Sequence, residues 1–274
     1  MSLRSRFGNL RRKILSGCCR RVVPLGAHGP IITFCFDDFP RTALTTGADI
    51  LEAVGARATY YVAMSMMNTT NNLGEQFCDE DLPSVVRRGH ELASHTFSHL
   101  SARQVAYDAF HRDVDKGERA IQERMQLSTS GNFAYPFGEV TLAVKKRLGS
   151  HFTSCRGTYG GVNGPNVDLN LLRANSLYGD LDSAEAAKRL VLENEERDGW
   201  LIFYSHDVTT KPSPYGCTPQ LLADVCSFAA GRETRFMTVA QVMKVLGQHN
   251  PLSPKVSQAN GCAAPKAPLT CSLR

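Results

Sequence analysis

The stretch Ile31-Ile32-Thr33-Phe34-Cys35-Phe36-Asp37-Asp38 is a compact apolar run that ends in two carboxylates. A run of this length, bounded by polar residues, is typical of a buried strand. Further short apolar runs are separated by segments with helical spacing; they lie at 58–63, 91–94, 133–137, 152–155, 172–177, 200–205 and 235–239. Strands that alternate with helices predict a parallel sheet. Seven or eight such units favour a distorted (β/α) barrel of parallel strands in a single domain.

Acids and histidines stand where several of these strands end. Asp37 and Asp38 end the first strand, His95 and His99 follow the third, and His206 follows the run at 200–205. In such barrels the C-terminal ends of the strands meet on one rim, where catalytic residues gather. We therefore expect these side chains to lie close together.

Three of these residues, Asp38, His95 and His99, could supply the ligands of one divalent metal ion. The histidines are four residues apart, a spacing that brings both rings to one face of a helical turn. Two imidazoles and a carboxylate suit Zn²⁺, and also Co²⁺, Ni²⁺ or Mn²⁺. Asp37 would point the other way from an extended strand and keep a free carboxylate. Three protein ligands and an open position form a hydrolase layout, because the open position holds and acidifies a water molecule.

Length and composition predict one large domain with terminal extensions. The chain has 274 residues, 42% of them hydrophobic, which is enough for one sizeable core. We expect a basic N-terminal arm at 1–27, the domain at 28–248 and an irregular tail at 249–274 that is rich in Pro, Ser, Ala and Lys. The arm carries much of the net charge of +5. It is either a solvated terminus or a segment that contacts anionic lipid weakly; we expect no nucleic-acid partner.

The chain is expected to be cytoplasmic. Its basic start has no apolar run long enough for a secretory signal, and no stretch approaches the roughly 20 apolar residues of a membrane span. The nine cysteines are odd in number, irregularly spaced and without a C-x-x-C pair. A reducing compartment is the simpler interpretation of that pattern.

Taken together, these motifs resemble the polysaccharide deacetylase family, also called the NodB-homology domain or carbohydrate esterase family 4. The resemblance runs from about residue 31 to 239. The family motifs T-F-D-D, H-[ST]-x-x-H and R-x-P-[YF] correspond in order to residues 33–38, 95–99 and 134–138. A fourth motif is matched loosely by 198–200, and a fifth by 204–206. The resemblance depends largely on the order of these motifs along the chain.

The resemblance implies a role for each matching residue. Asp37 would be the general base that takes a proton from a water molecule held by the metal. Asp38, His95 and His99 would bind that single metal ion, with zinc expected first. His206 would protonate the leaving amine. The Phe137 main-chain N–H would bind the carbonyl oxygen, and Trp200 and Tyr135 would wall the acetyl pocket or stack on a sugar face. Pro136 and Asp198 would be further substrate-binding or supporting residues.

One departure from the family pattern concerns the support of Asp37. The third motif has an arginine that orients the base, and this chain has Ala134 there. Another cation must do that work if the mechanism is retained. Arg173 and Arg156 are the candidates, and we favour Arg173, near the end of a predicted strand.

The resemblance implies a metal-dependent hydrolase that removes N-acetyl groups, or less readily O-acetyl groups, from a carbohydrate. An oligosaccharide, a lipid-linked sugar or a polysaccharide precursor fits a cytoplasmic location. Two alternatives stay open: a hydrolase of a small non-sugar amide on the same fold, and a carbohydrate-binding protein with a decayed site, suggested by Ala134. The segment 212–217 after His206 is expected to be a substrate-facing loop.

Overall fold

The computed structural model describes residues 11–126 and 130–248. The strands are β1 Val22–Pro24, β2 Ile31–Asp38, β3 Ala58–Val62, β4 Thr70–Asn71, β5 Gly74–Glu75, β6 Glu91–Ser94, β7 Asn132–Ala134, β8 Ser154–Arg156, β9 Asn166–Asp168, β10 Asn175–Ser176, β11 Trp200–Ser205 and β12 Arg235–Phe236. The α-helices with complete bounds are α1 Ala48–Ala53, α2 Asp81–Arg87, α3 Tyr107–Met125, α4 Leu142–His151, α5 Ala184–Glu196, α6 Pro219–Ala230 and α7 Val239–Val245.

The strands form a curled parallel sheet in the order β10-β11-β2-β3-β6-β7-β8, with β12 beside the start of β2. Among the described strands, β10 and β8 end this series of pairs, so the sheet is a half-barrel. The prediction of a distorted single-domain barrel of parallel strands is confirmed. Parallel strands need crossover connections, and helices supply most of them. None of the described helices is long and apolar enough to cross a membrane.

Strand β2 lies between β11 and β3 in the sheet, and both of its faces are buried. Ile32, Phe34 and Phe36 pack in the layer between the sheet and the helices, and Ile31 and Cys35 face the barrel interior. Side chains alternate along a strand. Asp37 therefore follows Ile31 and Cys35 to the interior, and the apolar alternation of β2 places a carboxylate at the rim.

The lower interior of the half-barrel is closed by a buried polar network. The Glu91 carboxylate accepts hydrogen bonds from Thr59 Oγ1 at 2.8 Å, Asn132 Nδ2 at 2.7 Å and the Ala240 N–H at 2.8 Å. A buried polar group is tolerated when its partners satisfy it. The network ties β3, β6 and β7 to the start of α7, at the end of the strands opposite the rim that carries Asp37 and Asp38.

The described part of the predicted basic arm packs against the domain. Strand β1 pairs antiparallel with β9, and Leu15 is buried. The wholly buried Lys145 donates to the Leu15 carbonyl at 2.7 Å and to Asp168 Oδ2 at 2.8 Å. The expectation of a solvated arm is therefore wrong for residues 11–25. Residues 1–10 and the tail at 249–274 lie outside the described residues.

The loop before helix α3 contains Ser101, a residue type that is common at helix starts. Helix α3 starts at Tyr107 after Ala106, and the Ser101 hydroxyl donates instead to the Glu139 carboxylate. The cap-like serine therefore joins two loops near the rim rather than starting a helix. The apolar pattern within α3 itself is as expected, with Phe110 and Val114 buried.

Candidate active site

The five acids and histidines singled out in the sequence line one cleft at the C-terminal rim of the sheet. The cleft has a volume of about 590 Å³ and includes Asp37, Asp38, His95, His99 and His206 in its walls. Their convergence follows from the topology, because β2, β6 and β11 are parallel and end on the same side. A cleft of this size falls within the range of small-molecule sites.

Asp38, His95 and His99 form a compact donor group. His99 Nε2 lies 3.1 Å from Asp38 Oδ1, and His95 Nε2 lies 3.6 Å from the same oxygen. One ligand atom from each residue lies within 4.8 Å of the others. Ligand atoms about 2.1 Å from a common tetrahedral centre are ~3.4 Å apart, so the observed spacing fits a Zn²⁺-sized ion.

The protonation state of the donor group also fits a cation. His95 Nδ1 lies 2.8 Å from the Ala134 carbonyl and must carry the proton that it donates, which leaves a lone pair on Nε2. That lone pair faces Asp38 Oδ1, a buried oxygen without a hydrogen-bond partner in the described structure. Two electron-rich atoms facing each other in a buried site repel unless a cation lies between them.

Burial keeps both imidazoles in the form that binds metals. It lowers the pKa of His95 to about 3, with His99 adding to the effect, and it lowers the pKa of His99 to about 4. Burial raises the pKa of Asp38 to about 6, opposed by His206 and reinforced by Asp37. Neutral imidazoles and a desolvated carboxyl group are ready for a divalent ion, which favours the ionised carboxylate.

The loop that carries the two histidines is not the helical turn expected from their spacing. Strand β6 ends at Ser94, and Thr96 and His99 have left-handed φ angles of 66° and 54°. The rings still meet, with centroids 4.9 Å apart. The prediction of a helical turn was wrong because the tertiary structure imposes a strained backbone that spacing alone does not reveal.

Helix α3 holds this loop in place. Asp113 accepts hydrogen bonds through Oδ2 from the Phe97 N–H at 3.1 Å and the Ser98 N–H at 2.8 Å. Gly117 lies so close that a Cβ there would be 2.7 Å from the Thr96 carbonyl carbon. The two residues fix the backbone between the two histidines of the donor group, although neither lies in a recognised motif.

Asp37 is paired with Arg156 inside the half-barrel. Arg156 Nη2 lies 2.5 and 2.6 Å from the two carboxylate oxygens of Asp37. The guanidinium also sits between the Tyr61 and Tyr204 rings, 4.8 and 5.0 Å from their centroids. Burial alone would raise the pKa of Asp37, but Arg156, helped by His95 and His206, brings that pKa below its usual value. Asp37 is therefore ionised at neutral pH.

The choice of Arg173 as the cation beside Asp37 was wrong. Arg173 is exposed, and its Nη1 donates to the Gly160 carbonyl at 2.9 Å. Arg156 stands directly beside Ala134 in the register of β7 and β8. The arginine missing from the third motif is thus supplied from the adjacent strand, and the small Ala134 leaves space for it.

His206 is oriented by the loop that follows it. Its Nδ1 lies 3.0 Å from the Tyr215 carbonyl, so Nε2 faces the cleft, 4.0 Å from Asp38 Oδ2. The buried Asp207 accepts from the Ser213 N–H at 2.8 Å and hydroxyl at 2.5 Å, and Ser213 Oγ accepts from the Tyr215 N–H at 3.2 Å. Gly216 packs against Asp207 where a side chain would clash.

Several residues expected to contact substrate are placed elsewhere. Tyr135 is buried and donates to the Asn170 carbonyl, and the fully buried Trp200 donates from Nε1 to Thr33 Oγ1 at 2.9 Å. Neither can wall an acetyl pocket. Asp198 precedes β11 and so lies at the end of the strand opposite the cleft. These motif matches correspond to core and loop positions.

In the third motif, Phe137 and not Tyr135 presents its ring to the cleft. Pro136 is buried, but the Phe137 side chain is 62% exposed, and its ring centroid lies 4.4 Å from that of His99. Phe137 lines the cleft, and its φ of 58° is left-handed. Asp38 and Phe39, at φ of 63° and 72°, share this conformation, so strained backbone is concentrated around the cleft.

Sequence reasoning missed further cleft residues. Tyr178, Tyr204 and Tyr215 line one wall, and Tyr178 lies 5.6 and 6.1 Å from the other two rings. Leu73 and Asn72 of the β4–β5 hairpin line the cleft as well. Tyr215 lies in the segment expected to face substrate and Tyr204 in the fifth motif, but Tyr178, Leu73 and Asn72 belong to no motif that could have revealed them.

The half-barrel, the donor group and the paired carboxylate define a hydrolase-type α/β domain with a candidate metal centre. Residues 26–155 match the family model described as polysaccharide deacetylase. Over these residues the chain is similar to the polysaccharide deacetylase family, whose members are hydrolases that act on acetyl amide or ester bonds of carbohydrates. No curated protein matched the chain.

Three solved structures with the same fold are described as carbohydrate esterases or deacetylases. A family 4 acetyl xylan esterase from Clostridium thermocellum, in complex with a cobalt ion, is 20% identical, with a TM-score of 0.55 over 80% of this chain and 93% of its own. The CE4 domain of a xylanase from the hindgut metagenome of Trinervitermes trinervoides is 20% identical, with a TM-score of 0.54 over 79% and 91%. A Bacillus subtilis peptidoglycan deacetylase is 15% identical, with a TM-score of 0.51 over 80% and 92%.

Proposed function

We propose that this protein is a metal-dependent deacetylase that removes N-acetyl groups, or less readily O-acetyl groups, from a carbohydrate. The observation that carries the proposal is the conjunction of the Asp38–His95–His99 donor group with the ionised Asp37 and with His206 in one cleft. A carbohydrate-binding protein that had lost its catalytic activity would not need these metal ligands together with a base and an acid. The pairing of Asp37 with Arg156 also removes the reason, taken from Ala134, to suspect decay.

Asp38, His95 and His99 would hold the metal ion. When bound there, a divalent ion lowers the pKa of a water molecule and polarises a carbonyl oxygen. Nitrogen and oxygen donors in this number suit zinc, and Co²⁺, Ni²⁺ or Mn²⁺ would also fit. The cobalt ion reported with the Clostridium thermocellum relative is compatible with this choice.

The remaining side chains would move the protons. Asp37 is ionised beside Arg156 and would accept a proton from the attacking water. His206 presents Nε2 to the cleft and would give a proton to the leaving amine. The Phe137 main-chain N–H is the proposed donor to the developing oxyanion.

The cleft walls favour an uncharged sugar at the acetyl-bearing position. Phe137 and Tyr215 are 62% and 50% exposed and could stack on sugar faces. Among the described residues, no lysine or arginine lines this cleft. We propose an acetylated oligosaccharide, lipid-linked sugar or polysaccharide precursor as substrate, acted on in the cytoplasm.

The test combines metal analysis with amine release from acetylated chito-oligosaccharides. Wild-type protein should hold about one metal ion per chain. Asp37→Asn should keep the metal and lose activity at least about a hundredfold, whereas His95→Ala should lose both. Wild-type protein without stoichiometric metal, or full activity in both variants, would refute the proposal. A parallel panel of small non-sugar acetamides checks the alternative substrate class.

A further inference from the structure

A second cavity lies beside the catalytic cleft and is lined by cations. Its volume is about 400 Å³, and Arg20, Arg173 and Arg197 line it. Thr158 lines the cleft, whereas its neighbour Tyr159 lines this cavity. The segment after β8 therefore separates the two spaces. The catalytic scheme uses none of the three arginines.

An adjoining recess adds more positive charge. It measures about 370 Å³ and is lined by Arg12, Lys13, Ser16 and Arg173. Ser16 and Arg173 line both spaces, so the recess adjoins the cavity. The cations come from three parts of the chain: residues 12–20, position 173 and the end of α5. Packing of the N-terminal segment against the domain brings them together.

The carboxylates around this cavity do not balance its cations. Asp168 is held by the buried Lys145 at 2.8 Å and lies 3.8 Å from Arg20. Arg197 is paired with Glu193 across one helical turn on the exposed surface. The Arg173 guanidinium makes a single hydrogen bond to the described residues, a donation to the Gly160 carbonyl, and its other N–H donors remain available for a ligand.

We propose that this cavity binds a phosphate group, as a phosphate or diphosphate ester. Guanidinium groups bind phosphate through paired hydrogen bonds, and cations that approach from several directions favour an anion with three or more acceptor oxygens. The arginines line a concave space rather than a long stripe, which favours a small ester over a nucleic acid. Arg12 stacks on the Tyr159 ring, 4.9 Å from its centroid, and is thereby held at the entrance.

The position of the cavity suggests where such a phosphate comes from. Thr158 of the cleft and Tyr159 of the cavity are neighbours in sequence, so an extended ligand with an acetylated sugar at one end and a phosphate at the other could run from the cleft to the Tyr159 side of the cavity. This part of the inference rests on the proposed deacetylase function. The phosphate site itself does not, because free phosphate or diphosphate would bind to the same arginines.

Titration calorimetry on the metal-loaded full chain tests the site. The probes are inorganic diphosphate, N-acetylglucosamine 1-phosphate and uncharged N-acetylglucosamine. Both phosphates should bind saturably and more weakly at high salt. Arg173→Ala and, separately, Arg197→Ala should each weaken binding about tenfold, since each removes a charge-assisted contact. Arg189→Ala on the exposed surface of α5 is the matched control and should bind as wild type does.

The outcomes separate this inference from the proposed function. The same titrations on His95→Ala remove the metal as an alternative phosphate ligand and should still show binding. Absence of saturable binding, or unchanged binding in both arginine variants, would overturn the site. Equal affinity for the two phosphates indicates a site for free phosphate, and tighter binding of the sugar phosphate indicates the phosphate of a substrate. Phosphate binding by a protein without deacetylase activity would refute only the proposed function.

Discussion

Replacing Arg156 by methionine tests the pair that supports the proposed base. Arg156 is wholly buried, and Asp37 is 5% exposed. Methionine keeps the apolar stem and leaves the carboxylate without a cation. With charge centres ~4 Å apart and an effective dielectric constant of about 20, the attraction is about 4 kcal/mol. Breaking a buried pair by removing one partner costs about 3–5 kcal/mol. In a domain of this size that corresponds to a Tm lower by roughly 6–20 °C.

The same variant should change the pH dependence in a defined direction. In the wild type the pKa of Asp37 is lowered, so its contribution to stability is complete above the unfolded-state pKa of about 3.9 and is lost as pH falls through the folded-state pKa. Without Arg156, burial dominates and raises the pKa of Asp37. Stability then falls as pH rises, and the Tm deficit should be larger at pH 8 than at pH 5. The acidic limb of the pH–activity profile should move to higher pH, because Asp37 then stays protonated up to a higher pH and cannot act as a base.

Thermal unfolding followed by circular dichroism, together with a double-mutant cycle, provides the measurement. Asp37→Asn removes the charge that Arg156 balances, so the double variant should be less destabilised than the sum of the single variants. Arg173→Met is the matched control for stability, since the exposed side chain has no carboxylate partner among the described residues. Additive effects, or a Tm for Arg156→Met within about 2 °C of the wild type at both pH values, would refute the reasoning.

Three further changes test the residues that hold the site. Asp113→Ala removes the carboxylate that accepts from the Phe97 and Ser98 N–H groups, leaving only the Asp113 main-chain carbonyl for Phe97, and should weaken metal binding about 10–100-fold, measured by competition with a chelator. Gly117→Ala places a methyl group against the Thr96 backbone and should lower Tm and metal affinity together, as measured by thermal shift with and without added zinc. Ser213→Ala frees the loop that orients His206 and should lower kcat about tenfold without changing metal affinity.

Controls keep these three outcomes specific. Asp115→Ala, on the exposed face of the same helix as Asp113, should bind metal as the wild type does. Lys211→Ala, at an exposed position in the same loop as Ser213, should leave kcat unchanged. Unaltered metal affinity in Asp113→Ala, or a kcat for Ser213→Ala equal to that of Lys211→Ala, would contradict the positioning roles. Normal metal affinity in Gly117→Ala would contradict close packing against the histidine loop.

Much of the site could be read from local patterns. Ile31–Phe36 is apolar at every position except Thr33, which predicts a central buried strand, and the two aspartates after it must fall at a strand end. The same holds for His206 after the apolar run at 200–205. Motif matches at core positions were less reliable, because a tryptophan beside an apolar strand is equally compatible with a substrate wall and with the buried position that Trp200 occupies.

The sequence by itself determined which segments form strands, the rim on which the candidate catalytic side chains stand, and the three residues of the donor group, because apolar periodicity and motif spacing are local properties. Only the tertiary structure decided which arginine supports Asp37. Arg156 lies 119 positions away in sequence and reaches the carboxylate because the sheet curls β8 back towards β2. The strained histidine loop and the cation-lined cavity likewise depend on distant segments packing together. Contacts between distant segments are set by how the whole chain folds, and no local pattern encodes them.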